Sequence, residues 1–186
     1  MKDRNLTATE AKRLQRQWRR RTSGAAGLLL DNVGNPFNVG AILRSAAAFR
    51  IDHLWVAGAG ATPDHEKTHK TSLGTERLVP WSVVSSATEA ATEARAAGMQ
   101  VVGVELAVGA EPLADLDLSL GVCLVLGHED RGISPAALAA CDRLGYIPTP
   151  GKVGSLNVAA AAGIALYELR RQQWAASDVQ GVHLDA

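Results

Sequence analysis

From about residue 24 onward, short apolar runs alternate with longer stretches whose apolar positions recur every three or four residues, the pattern of strands and helices interleaved in a parallel sheet. The runs predict strands over 27–30, 53–57, 101–105, 121–126 and 144–147, and the helical periodicity predicts helices over 39–49, 87–97, 135–141 and 157–174. End signals agree with these spans. Ser86 with Glu89 three residues later reads as a capping box, and Gly98 stands where a helix closes in the left-handed region. Ser134-Pro135 places a cap ahead of a proline in the first helical turn. The expected organisation is a basic helical arm over 1–24, one α/β domain over 25–174 and a short tail over 175–186.

With 186 residues, 47% of them hydrophobic, the chain can bury one sizeable core. No apolar run is long enough to span a bilayer, and the first residues lack the apolar stretch of a signal peptide. The expectation is a cytoplasmic protein with no membrane partner. Cys123 and Cys141 lack CxxC spacing and read as reduced core residues. The zero net charge conceals an asymmetry: residues 1–21 carry eight cations against two anions, +6, which leaves −6 for the rest. An arm of this kind suits a polyanion, because lysine and arginine release counterions from phosphates. It serves equally as a solvated helix that keeps the chain soluble.

Common nucleotide and metal motifs fail on inspection. Gly58-Ala59-Gly60 follows a strand but lacks the third glycine of a dinucleotide fingerprint. Gly151-Lys152 lacks the first glycine of a P-loop, Tyr146 standing in its place, and Val153 replaces the hydroxyl residue. His65 and His69, four apart and flanked by Asp64 and Glu66, share a face if helical, but no third ligand clusters with them, so a solvated or RNA-facing loop is preferred to a metal site. No serine occupies a G-x-S-x-G elbow.

Three polar, glycine-containing segments fall at the ends of predicted strands, where open α/β sheets bind ligands: 35–44, 126–134 and 147–159. In the first, Asn38 reads as a helix N-cap and Arg44 rises from a patch of very small neighbours, Gly40, Ala41, Ala47 and Ala48. In the second, Gly127 and Gly132 bracket Glu129 and let the backbone approach a ligand. In the third, two prolines stiffen a loop that delivers Ser155 and Asn157 to the start of an alanine-rich helix. Taken singly, each has a plainer reading: a surface arginine, a tight turn with a solvated charge, and a pair of helix caps.

Taken together and in this order, the segments resemble the three motifs of the SpoU/TrmH family of the SPOUT methyltransferase superfamily, over about 28–171 of the chain. The resemblance implies a mostly parallel α/β sheet flanked by helices, with a deep trefoil knot near the C-terminus, against the general rarity of knots. It implies a homodimer formed through the knotted region, where the small residues 159–163 permit close helix approach. It also implies transfer of a methyl group from S-adenosylmethionine to a ribose 2'-hydroxyl of RNA. The motif residues fall on Asn38, Arg44, Glu129, Ser155 and Asn157 as the catalytic set. Cofactor contacts fall on Leu126, Gly127, Ile147, Pro148 and Leu156, mainly through the main chain, with Glu105 at a nearby strand end. The family's scheme makes Arg44 the general base. Guanidinium groups stay protonated in proteins, so positioning the hydroxyl or an adjacent phosphate and stabilising oxyanion charge is the preferred role, with Glu129 a rival base. Arg16, Arg19, Arg20, Arg21, His69, Lys70 and Arg77 are the expected RNA contacts. The loop over 71–76 favours a tRNA guanosine over ribosomal RNA. The competing readings are a catalytically idle knotted RNA-binding protein and an ordinary α/β enzyme with another nucleotide cofactor.

Overall fold

In a computed structural model that describes residues 4–177, the chain runs α1 (Ala8–Arg21), β1 (Ala26–Asp31), α2 (Pro36–Ala48), β2 (His53–Ala57), α3 (Glu66–Ser72), β3 (Trp81–Val84), α4 (Ala87–Ala96), β4 (Gln100–Val104), β5 (Glu111–Pro112), β6 (Val122–Leu126), α5 (Pro135–Ala140), β7 (Arg143–Tyr146) and α6 (Val158–Ala176). All strand pairs are parallel, in the order β3-β2-β1-β6-β4-β7-β5. Every residue of β1 and of β6 is buried, as strands covered on both faces require. Alternation divides the core in two. Leu28, Leu30, Val102, Leu124 and Leu126 pack under α2 and α6, while Leu29, Val101, Cys123 and Val125 pack under α4 and α5.

The five expected strands and four expected helices are present with ends shifted by a few residues. Three elements were not anticipated. β3 is only four residues at the sheet edge, β5 is two residues containing a proline, and α3 is a polar seven-residue helix whose face carries no apolar stripe. The Asn38 cap is a correction. Pro36 opens α2 a turn earlier, and the Asn35 side chain accepts from Phe37 N at 2.9 Å. Asn38 thereby lies inside the helix with its amide free for another task. Ser134 caps α5 and Gly98 takes φ 79° as expected. Ser86 caps α4, but Glu89 returns to Ser85 N at 2.9 Å, so the capping box is only half formed.

The arm is a helix docked on the domain. Trp18 packs on Trp174 with ring centroids 4.7 Å apart, and Trp174 Nε1 donates to Thr22 Oγ1 at 2.9 Å. Arg50 Nη1 donates to the carbonyls of Arg19 and Thr22, closing the C-terminal end of α1. Beneath this junction the buried Arg170 donates to the carbonyls of Phe49, Gly24 and Arg50 and to the Gln173 side chain. Both cysteines are free, Cys123 buried in the core and Cys141 only partly buried against it, and burial pushes the Cys141 thiol up to about 11. Among the described residues no helix is long and apolar enough to cross a membrane. Lys2 of the expected arm, and residues 178–186 of the expected tail, lie outside the described residues.

Candidate active site

At the C-terminal ends of β4, β6 and β7 a cleft of about 550 Å³ opens, a size suited to a nucleoside-scale ligand. Of the cofactor residues expected from the motifs, Glu105, Leu126, Gly127, Ile147 and Leu156 line it, and Pro148 does not. Gly127 is needed for the shape of the floor: a Cβ there would stand 2.2 Å from both Gly132 C and Ile133 N. Glu105 holds the opposite rim, accepting from Ile133 N and Leu106 N at 3.0 Å each. The floor, closed where Gly127 meets the Gly132–Ile133 backbone, is walled by Leu126, Ile147 and Leu156 with polar groups at the rim, and fits a cofactor with a flat base and a polar tail.

Glu129 lines the same cleft and joins the three sequence segments. Its carboxylate accepts from Gly34 N at 3.1 Å, Asn35 N at 3.0 Å and Asn38 Nδ2 at 2.9 Å. Asn157 Nδ2 donates to Asn38 Oδ1 at 3.0 Å, while Asn157 Oδ1 accepts from Ala159 N and Ala160 N at the start of α6. Partial burial pushes the Glu129 carboxyl up, but the hydrogen bonds from Asn38, its own loop, Asn35 and Gly34 outweigh it and hold the pKa below the usual carboxylate range. A carboxylate with three donors and a lowered pKa is suited to fixing geometry rather than to accepting a proton. Ser155 lines the cleft without joining this network.

Arg44 is elsewhere. It is exposed on α2 and lines a second cleft with Lys70 and Thr71, which shares no residue with the first. Arg16, Arg19, Arg20 and Arg21 are all exposed on α1, and the Arg77 side chain is 87% exposed beside Glu76. His65 and His69 take separate partners, His65 capping α3 through Lys67 N and His69 pairing with Glu76 at 3.3 Å.

Asp31 was not anticipated. It is buried at the end of β1, accepts from Ser134 N at 2.7 Å and from Asn32 Nδ2 at 2.7 Å, and so ties β1 to the turn that carries Glu129. The signal was an acidic residue ending an otherwise apolar strand. Arg131 and Thr149, which also line the cleft, fall in the second and third segments without having been singled out there, and Tyr146 lies just outside them.

The model of the SpoU rRNA Methylase family matches residues 26–167. A 23S rRNA (guanosine-2'-O-)-methyltransferase of Acinetobacter baylyi is 38% identical over 149 residues, 78% of this chain and 59% of the relative. The SpoU methyltransferase AviRb of Streptomyces viridochromogenes, in complex with AdoMet, superposes with a TM-score of 0.74 at 35% identity, covering 80% of this chain and 60% of that one. A TrmH/SpoU tRNA modifying enzyme of A. aeolicus gives 0.74 at 28% identity, covering 89% and 84%. The chain spans less than two thirds of the length of the curated relatives it matches.

Proposed function

The chain belongs to the SpoU rRNA methylase family, and from that membership we propose that it transfers a methyl group from S-adenosylmethionine to a ribose 2'-hydroxyl of RNA. The observation that carries this reading is the Glu129–Asn38–Asn157 network, which joins all three motif segments at the edge of a cleft floored by main chain. Bound in that cleft, S-adenosylmethionine supplies a methyl group on an electrophilic sulfonium. Leu126, Ile147 and Leu156 would hold its apolar parts, Gly127 lets the Gly132–Ile133 backbone close the floor beneath it, and Glu105 keeps the rim in place. Glu129, Asn38 and Asn157 fix the loops around the acceptor, and Arg44 orients the ribose hydroxyl or its neighbouring phosphate and stabilises oxyanion charge.

The two clefts share no lining residue, which favours an active site shared between two copies of the chain. An exposed strip on α6 supports a homodimer: Ala160, Ile164 and Tyr167 recur at helical spacing, the last two 44% and 54% exposed. The knot remains part of this proposal. α6 follows β7 yet packs on α2 and β6, on the far side of β4, and that return path supports threading. Residues 25–174 are taken as the catalytic domain and α1 as an RNA-binding arm.

Ribosomal RNA is the acceptor we favour, because the relative with 38% identity is named for a 23S rRNA guanosine. The tRNA reading draws on a different observation, that the chain covers 84% of the A. aeolicus tRNA modifying enzyme. Labelled S-adenosylmethionine offered with unmodified ribosomal RNA and tRNA separately, followed by nuclease mapping, decides both points. A 2'-O-methylated nucleotide in ribosomal RNA is expected. Label in tRNA alone reverses the acceptor, and label in neither RNA sinks the proposal.

A further inference from the structure

Leu73 ends α3 with φ 52°, the left-handed region in which a leucine side chain crowds its own backbone, and Gly74 follows at 88°. Glycine or asparagine is the usual occupant of such a position. Burial does not explain the leucine, because it is 66% exposed. The conformation is imposed by the mount beneath it. Leu73 N donates to His69 O at 3.2 Å, Thr71 Oγ1 to Phe37 O at 2.9 Å, and the buried Ser72 to Glu76 at 2.6 Å. Gly40 lets α3 lie directly on α2, since a Cβ there would stand 2.1 Å from Thr71 Oγ1 and 2.4 Å from the Thr68 carbonyl oxygen. Leu73 and Lys70 are therefore held at a fixed place relative to Arg44.

These three residues line the second cleft, of about 580 Å³, and no carboxylate lines it. Neither the Arg44 nor the Lys70 side chain has a hydrogen-bond or ion-pair partner among the described residues. We propose that this cleft is a nucleotide subsite for the RNA substrate, in which Lys70 shares a backbone phosphate with Arg44 and Leu73 contacts the face of the adjoining base. The proposal rests on the methyltransferase reading above and deepens it: it puts the Lys70 contact on the same phosphate as Arg44 and adds Leu73 as a base contact. Two unpaired cations beside one exposed apolar side chain match a phosphate with a base attached. An apolar protein surface docked here would strip water from both cations without supplying a counter-charge.

The test uses the full chain as wild type, Lys70→Gln and Leu73→Asn, with filter binding to an unmodified 23S rRNA transcript between roughly 50 and 200 mM salt. Lys70→Gln is expected to weaken binding and to flatten the salt slope by about 1. Leu73→Asn is expected to weaken binding about tenfold with the slope unchanged. Its melting temperature should be equal or higher, because asparagine accepts a positive φ. An unchanged slope for Lys70→Gln, or wild-type affinity for Leu73→Asn, overturns the subsite. So does a Leu73→Asn protein that sediments as a monomer while keeping its RNA affinity, which assigns the side chain to a contact between copies. Methyl transfer by the wild type to the same transcript is scored separately. Its absence counts against the functional proposal, while the salt slope still decides the subsite.

Discussion

Asn157 donates to Asn38 at 3.0 Å although 119 positions separate them in sequence, and Asn38 in turn donates to Glu129 at 2.9 Å. Each asparagine is used at both ends of its amide. Asn38 donates a hydrogen bond to the carboxylate through Nδ2 and accepts one from Asn157 at Oδ1, while the Asn157 oxygen is occupied by the first amides of α6. The series runs from the β6–α5 turn through α2 to α6, so disturbing any one member loosens the others.

Coupling of this kind predicts a non-additive pair. Asn38→Ala and Asn157→Ala should each slow single-turnover methyl transfer by about 10- to 100-fold, and the double variant should be little slower than the worse single one. Strictly multiplicative losses would show that the two amides act independently.

Arg44 lies outside the cleft proposed for S-adenosylmethionine, so its loss should separate binding from chemistry. Arg44→Ala is expected to lower the rate of methyl transfer by about 100-fold or more while S-adenosylmethionine affinity, measured by calorimetry, stays within about twofold of wild type. A parallel fall in cofactor affinity would place the guanidinium in the wrong cleft.

The Glu129 carboxyl has a folded pKa below its unfolded value of about 4.3, so its stabilising contribution is present in full above that pH and is lost as pH falls through the folded value. Glu129→Gln lacks that component. In urea unfolding from pH 6 downward, the stability gap between wild type and Glu129→Gln is expected to narrow as the solution is acidified. A gap that widens toward low pH contradicts the donor arrangement described at this residue.

Gly127→Ala places a methyl group against the backbone of Gly132 and Ile133, atoms that cannot move aside without shifting the turn. The expected cost is about 1–3 kcal/mol of stability, read by chemical denaturation, with S-adenosylmethionine binding weakened in the protein that remains folded. Wild-type affinity and stability in this variant would mean that the close approach is not required.

Elements with strong periodicity and both faces buried, such as β1 and β6, were legible in the sequence because burial demands an unbroken apolar run. β3 and β5 were not, since a short edge strand carries little pattern. Asn38 shows a different limit. The sequence placed it correctly beside a helix start but could not tell a cap from a residue one turn inside, because Asn35 and Asn38 are both suitable and only the position of Pro36 in the folded helix separates them. That Asn38, Glu129 and Asn157 belong together was readable from three motifs in order, and hydrogen bonds join them in the fold. The place of Arg44 was not: that it would open to a different cleft from Glu129 depends on which way α2 faces once α3 and α6 have packed on it.

The strand order also governs when the molecule can become itself during synthesis. β1, β2 and β3 are neighbours in space and emerge from the ribosome first, so they can pair early, but the other edge of β1 has no partner until β6 has been made. Until then a strand that is apolar on both faces is left with an open edge, a state prone to joining other chains. Pairing across so long a stretch is intrinsically slow, since the loop must close before any contact rewards it. The amides of Gly34 and Asn35, translated early, thus wait for a carboxylate translated much later. A nascent chain halted before β6 holds half a sheet and no place for a cofactor, which makes completion of the fold and acquisition of the binding cleft a single event.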